Sequence, residues 1–91
     1  GFLLDDGTVL HTVPHPTAPI TALVVSDSCG ATCRCTVRVD LKAEHRYVRD
    51  VYRGTGCDAE AFWQSPVLLH IQDNDGGKLD MDIRSLGLSV P

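Results

Sequence analysis

Apolar and polar positions in this chain sort mostly into short runs with a period of two. Ile20 to Ser26 is nearly continuous in apolar character and rich in β-branched residues, which predicts a strand covered on both faces or central in a sheet. Cys33 to Val39 alternates: Cys35, Val37 and Val39 point one way, Arg34, Thr36 and Arg38 the other. One face is thereby assigned to a core and the other to solvent. Val67 to Gln72 and Lys78 to Ile83 flank Asp73-Asn74-Asp75-Gly76-Gly77, the clearest hairpin of the chain, with Leu79, Met81 and Ile83 alternating against Lys78, Asp80 and Asp82. A second hairpin is predicted from Phe2 to Leu4 and Thr8 to Val13, turned by Asp5-Asp6-Gly7. Pro14, Pro16 and Pro19 withhold amide donors and predict a stiff loop between it and the next strand.

One stretch breaks the alternation. From Leu41 to Arg53, a rotation of about 100° per residue gathers Leu41, Tyr47, Val48, Val51 and Tyr52 into one arc and Lys42, Arg46, Arg49 and Arg53 into the opposite one. Spacing therefore predicts an amphipathic helix over 41–53, with Asp40 as N-cap, Glu44 in the first turn and Gly54 as the C-terminal stop. A single helical turn is predicted at DAEAFWQS, capped by Asp58, anchored by Phe62 and Trp63 and ended by Pro66. The tail from Leu86 to Pro91 reads as a last edge strand or a frayed end. Together these elements predict an α+β fold, one domain over residues 1–91, in which an antiparallel sheet carries one helix.

Composition narrows the class. The chain is 91 residues long and 43% hydrophobic, which suits one compact domain with a thin stability margin. No apolar run approaches the roughly 20 residues that cross a bilayer as a helix, and neither a basic n-region nor a continuous h-region opens the chain, so any signal peptide is expected to have been removed. Four cysteines in so short a chain favour an oxidising, extracellular setting. Net charge is −4, yet six of the eight basic residues (Arg34, Arg38, Lys42, Arg46, Arg49, Arg53) fall between positions 34 and 53. That asymmetry predicts an electrically lopsided molecule.

Cys29, Cys33, Cys35 and Cys57 carry the strongest chemical signal. Cys33 and Cys35 share a strand face and make poor partners, which leaves Cys29–Cys33 with Cys35–Cys57, or Cys29–Cys35 with Cys33–Cys57. Either predicts two disulfide staples; an all-thiolate zinc site is disfavoured because Cys57 stands alone rather than in a closely spaced pair. His11, His15, His45 and His70 show no ligand spacing, and partly buried histidines bonded to backbone explain them. Asp73, Asp75, Gly76 and Asp82 imitate part of a calcium loop, but aligning the glycine puts Ile71 in the first ligand position, so a hairpin turn is the expectation. No metal and no cofactor is predicted.

The run CGATCRC at 29–35, a helix-sized segment, and GTGC at 54–57 resemble small secreted fungal cysteine proteins, a grouping that includes killer-toxin-like folds and plant-pathogen effectors. That resemblance implies a secreted α+β protein acting by binding a host or competitor target without catalysis, and it transfers no functional residue. Read from the residues, the expected function is that of a secreted, disulfide-stabilised binding protein of effector, toxin or inhibitor type. Its binding face would be Lys42, Arg46, Arg49 and Arg53, and its partner a protein with an acidic surface, since arginine pairs bidentately with carboxylates. An acidic chain is poorly suited to nucleic acid. Two other readings stand beside this one: a small ribonuclease-like hydrolase using His45 or His70 with Glu44 and an arginine, and a β-rich interaction module of a larger extracellular or virion protein.

Overall fold

The computed structural model describes residues 7–27 and 36–90. Among these residues seven strands follow one another: β1 (Thr8–Pro14), β2 (Thr21–Asp27), β3 (Thr36–Lys42), β4 (Tyr47–Thr55), β5 (Ala59–Trp63), β6 (Leu68–Asp73) and β7 (Lys78–Asp82), with a 3-10 turn at Ile83–Leu86. They form two antiparallel meanders, a sheet of order β1-β2-β3-β4 and a sheet of order β5-β6-β7. Both contribute to one core: Ala22, Val24, Val37, Val39 and Leu41 from the first sheet, Ala59, Leu69 and Ile71 from the second, and Ile83 and Leu88 beyond the last strand. Sheet faces so joined satisfy the demand that each buries its apolar side.

The expected helix is absent: residues 41–53 run through the end of β3, a tight turn closed by the Ala43 amide on the Arg46 carbonyl, and most of β4. The α+β assignment is thus replaced by an all-β one among the described residues. A bulge explains the misleading period. Val39 pairs with Tyr52 and Leu41 with Val48, so the single residue Asp40 faces Arg49, Asp50 and Val51. Asp50 takes the left-handed conformation, φ 59°, that lets the extra residues loop out. Two extra residues leave Val48 and Tyr52 on the same face, and Val51, out of phase within the bulge, also packs on the core, so the three fall at spacings that mimic a helix. Asp40 caps no helix; its Oδ1 accepts the Asp50 amide across the bulge at 3.0 Å.

DAEAFWQS likewise forms β5 rather than a helical turn, because β6 offers it a ladder from Ala59↔Asp73 to Trp63↔Leu69. The hairpin β6–β7 matches the period-two reading, and β2 lies centrally between β1 and β3. The first arm of the N-terminal hairpin lies outside the described residues. So do Cys29, Cys33 and Cys35, and with them both candidate pairings; Cys57 is disulfide-bonded, but no disulfide joins two described residues.

Two polar devices hold this frame. On the face of β3 away from the core, Arg38 and Asp40 are fully buried. Arg38 donates to Asp27 (2.7 Å) and Asp40 (3.2 Å), Arg53 donates to Asp27 (2.9 Å) and Asp50 (2.8 Å), and the Tyr47 hydroxyl donates to Asp40. With the Asp50 amide on Asp40, this is a closed ring of charge across β2, β3 and β4. The expectation that Arg38 faces solvent is corrected by it.

The second device links the sheets. Tyr52 on β4 donates to Asp73 Oδ2 at 2.6 Å, while Asp73 Oδ1 accepts the amides of Asp75 and Gly77. These bonds, with Tyr52 first, hold the Asp73 carboxyl below the ordinary carboxylate range. A Cβ on Gly77 would fall 2.5 Å from Asp73 Oδ2 and 2.6 Å from the Tyr52 hydroxyl, and one on Gly54 would also collide with Asp73 Oδ2. Glycine is required here for close approach. Gly77→Ala should lower the thermal midpoint by several degrees, and a midpoint equal to that of the wild type would show that the bond yields at no cost.

Candidate functional site

Edge strands carry unpaired backbone groups, and this fold sets two of them side by side. β1 ends the first sheet and β5 ends the second. Between them runs a cleft of about 420 Å³ lined by His11, Thr12 and Val13 on one side and Ala59 to Phe62 on the other. His11 and Val13 pair with the core residues Val24 and Ala22, so their side chains turn toward the second sheet. His11 Nε2 lies 2.9 Å from Asp58 Oδ1 and ties the two edges together, with both side chains half-exposed.

Farther along, the Trp63 indole donates to the Val13 carbonyl at 3.1 Å. His15 fixes that end from beneath. It is buried, its Nε2 sits 2.7 Å from the Pro66 carbonyl, and its Nδ1 accepts the Thr17 and Ala18 amides at 3.0 and 2.9 Å. Its ring meets Trp63 edge-on at 4.7 Å between centroids. Since Nδ1 receives two donors, the proton belongs on Nε2. The bland expectation for a histidine, burial with backbone partners, holds at this position, where the proline loop docks on the second sheet.

The edges are also where apolar groups stay exposed. Among the described residues the exposed large hydrophobics are Val9, Leu10, Tyr47 and Phe62, and three of these four belong to β1 and β5. Leu10 is the extra residue of a bulge between Val9 and His11. Phe62 projects from the outer face of the second sheet, where Phe62, His70 and Asp80 stand in one cross-strand row. The Phe62 and His70 rings are 4.9 Å apart, and His70 Nδ1 lies 2.7 Å from Asp80 Oδ1.

The basic residues singled out from the sequence do not share a stripe, because the helix that would align them does not exist. Lys42 ends β3, Arg46 closes the β3–β4 turn and approaches Gly87, and Arg49 and Arg53 lie on β4. Arg53 is held by Asp27 and Asp50. His45, largely exposed beside Glu44 in the same turn, and His70, on the middle strand of the other sheet, are joined by no hydrogen bond or ion pair. No group of three or more His, Cys, Asp or Glu side chains suited to a metal ion occurs among the described residues. No described helix is long and apolar enough to cross a membrane.

Neither a protein-family model, nor a curated protein, nor a solved structure matches this chain. Its site is therefore read from its own geometry. Sequence reasoning missed Phe62 and the β1–β5 cleft because it placed Phe62 on a helical turn with its ring in the core. The signal available was the alternation Ala59, Ala61, Trp63 against Glu60, Phe62, which has a period of two.

Proposed function

We propose that this domain works by binding an extended segment of a partner protein along its open β1 and β5 edges, as an interaction module of a secreted or otherwise extracellular protein. The observation that carries the reading is the convergence of two strand edges on one cleft, with Phe62 of β5 in its lining and Val9 and Leu10 exposed on β1. An extended peptide entering such a cleft satisfies its backbone against a strand edge and places alternate side chains on either face. Exposed aromatic and aliphatic groups then supply the apolar contact that gives such interfaces most of their affinity. The four cysteines support the extracellular setting.

Selection of random twelve-residue peptides displayed on phage against the intact domain, followed by amide chemical-shift mapping of the enriched binders, tests the proposal. Shifts are expected at residues 11–13 and 59–62. Phe62→Asp should weaken binding at least about tenfold, the effect of losing a contact worth ~1.4 kcal/mol, and should leave the thermal midpoint near that of the wild type, since the side chain is 48% exposed. Binders that map to β4 and β7, or that ignore Phe62→Asp, would sink the reading.

A further inference from the structure

The charges around this cleft say what kind of segment it accepts, an inference that rests on the strand-edge reading above. Residues 58–84 carry six carboxylates against two Lys or Arg side chains. Five of the six are already engaged: Asp58 by His11, Asp73 by Tyr52, Asp75 by Thr55, Asp80 by His70 and Asp82 by Arg84. The Glu60 side chain has no hydrogen-bond or ion-pair partner among the described residues. It is exposed on the edge strand β5, lines the cleft, and stands two residues from Phe62 on the same face. That spacing sets their Cα atoms about 6.6–6.8 Å apart along the strand, within reach of one long side chain.

We infer that the recognised segment is basic, with a Lys or Arg side chain that pairs with Glu60 and lies against the exposed side of Phe62. Phe62 leans on His70 from one side and remains half-exposed, so a cation can approach its ring while its charge meets Glu60. Arginine fits best, because its planar fork binds a carboxylate and stacks on an aromatic ring at once. An acidic side chain in the same place would confront the exposed Glu60 carboxylate with its like charge. Lys78 is the cation in the same cross-strand row, but Gln72 separates it from Glu60 across the three strands. The cleft therefore takes a partner opposite in charge to the acidic one that an arginine stripe would have recruited.

The phage selection separates this inference from the reading beneath it. Against the wild-type domain, enriched peptides should carry Lys or Arg at alternate positions, and replacing those residues with Glu in a synthetic copy should cost at least tenfold in affinity. Glu60→Lys, a change at an exposed position, should reverse the preference toward Glu- and Asp-bearing peptides; Glu60→Gln should weaken binding of the basic ones. Peptides that map to the β1–β5 cleft without a basic preference, or a preference unmoved by Glu60→Lys, would overturn the charge assignment and leave strand-edge binding standing. Binders that map elsewhere, or no enrichment, would overturn both.

Discussion

Asp40→Ala should be the most damaging single substitution outside the apolar core. Arg38 is fully buried and depends on Asp40 and Asp27 for its charge; Asp40 also accepts the Tyr47 hydroxyl and the Asp50 amide that closes the bulge. Removing the carboxylate leaves a buried guanidinium short of one partner and two donors without an acceptor. Breaking a buried ion pair in this way costs about 3–5 kcal/mol. For a domain of this size, each kcal/mol shifts the thermal midpoint by about 4–8 °C, so a drop of more than about 12 °C is expected by calorimetry. Replacing the pair together, Arg38→Leu with Asp40→Val, should recover part of that loss, since no orphaned charge remains. The recovery stays partial because the Asp50 amide still lacks its acceptor. A midpoint within about 3 °C of the wild type for Asp40→Ala, well inside that expected drop, would show that the ring is not a structural element.

Stability should also fall at both ends of the pH scale, and the two tyrosines set the alkaline end. The Tyr52 hydroxyl is pushed from its ordinary value of 10.0 to about 12, first by its hydrogen bond to Asp73 and then by burial. Tyr47 rises to about 12 as well, first through loss of water around its hydroxyl end and then through the hydrogen bond and charge of Asp40. A group whose folded pKa is raised lends stability that is complete below its unfolded value and is lost as pH climbs toward the folded one. The window is therefore pH 10 to about 12. Because the chain has only two tyrosines, near-ultraviolet absorbance of the native protein should show no tyrosinate step near pH 10. A step at that pH in the folded protein would remove both hydrogen bonds from the account. At the acid end, Asp73 is depressed by the same Tyr52 bond and the Gly77 amide, so its contribution persists above the ordinary carboxyl range and fades as pH drops through its lowered pKa.

The misreading of residues 41–53 shows where a one-dimensional pattern gives out. A strand with a bulge and a helix with an apolar arc can place the same letters at the same spacings, and Val48, Val51 and Tyr52 satisfy both. The tie is broken by residues far away in the chain: Val37, Val39 and Leu41 offer a ladder, and Tyr52 finds Asp73 twenty-one positions later. β propensity leaned the right way, since Tyr, Val, Val and Tyr are strand formers. Arg38 was misplaced for a related reason. Alternation correctly put it on the face opposite Val37 and Val39, but only the folded chain shows that Asp27, Asp40 and Arg53 gather on that face and bury it.

By itself the sequence determined whatever depends on neighbours within a few residues: the β6–β7 hairpin, the strand at β2, the proline loop and the inward alternation of β3. Tertiary structure alone decided the bulge at Asp50, the placing of the β1 and β5 edges on either side of one cleft, and the Glu60 carboxylate left without a side-chain partner there. Each of these arises because hydrogen bonds between distant strands, and the burial they bring, outweigh local preference once two sheets share a core.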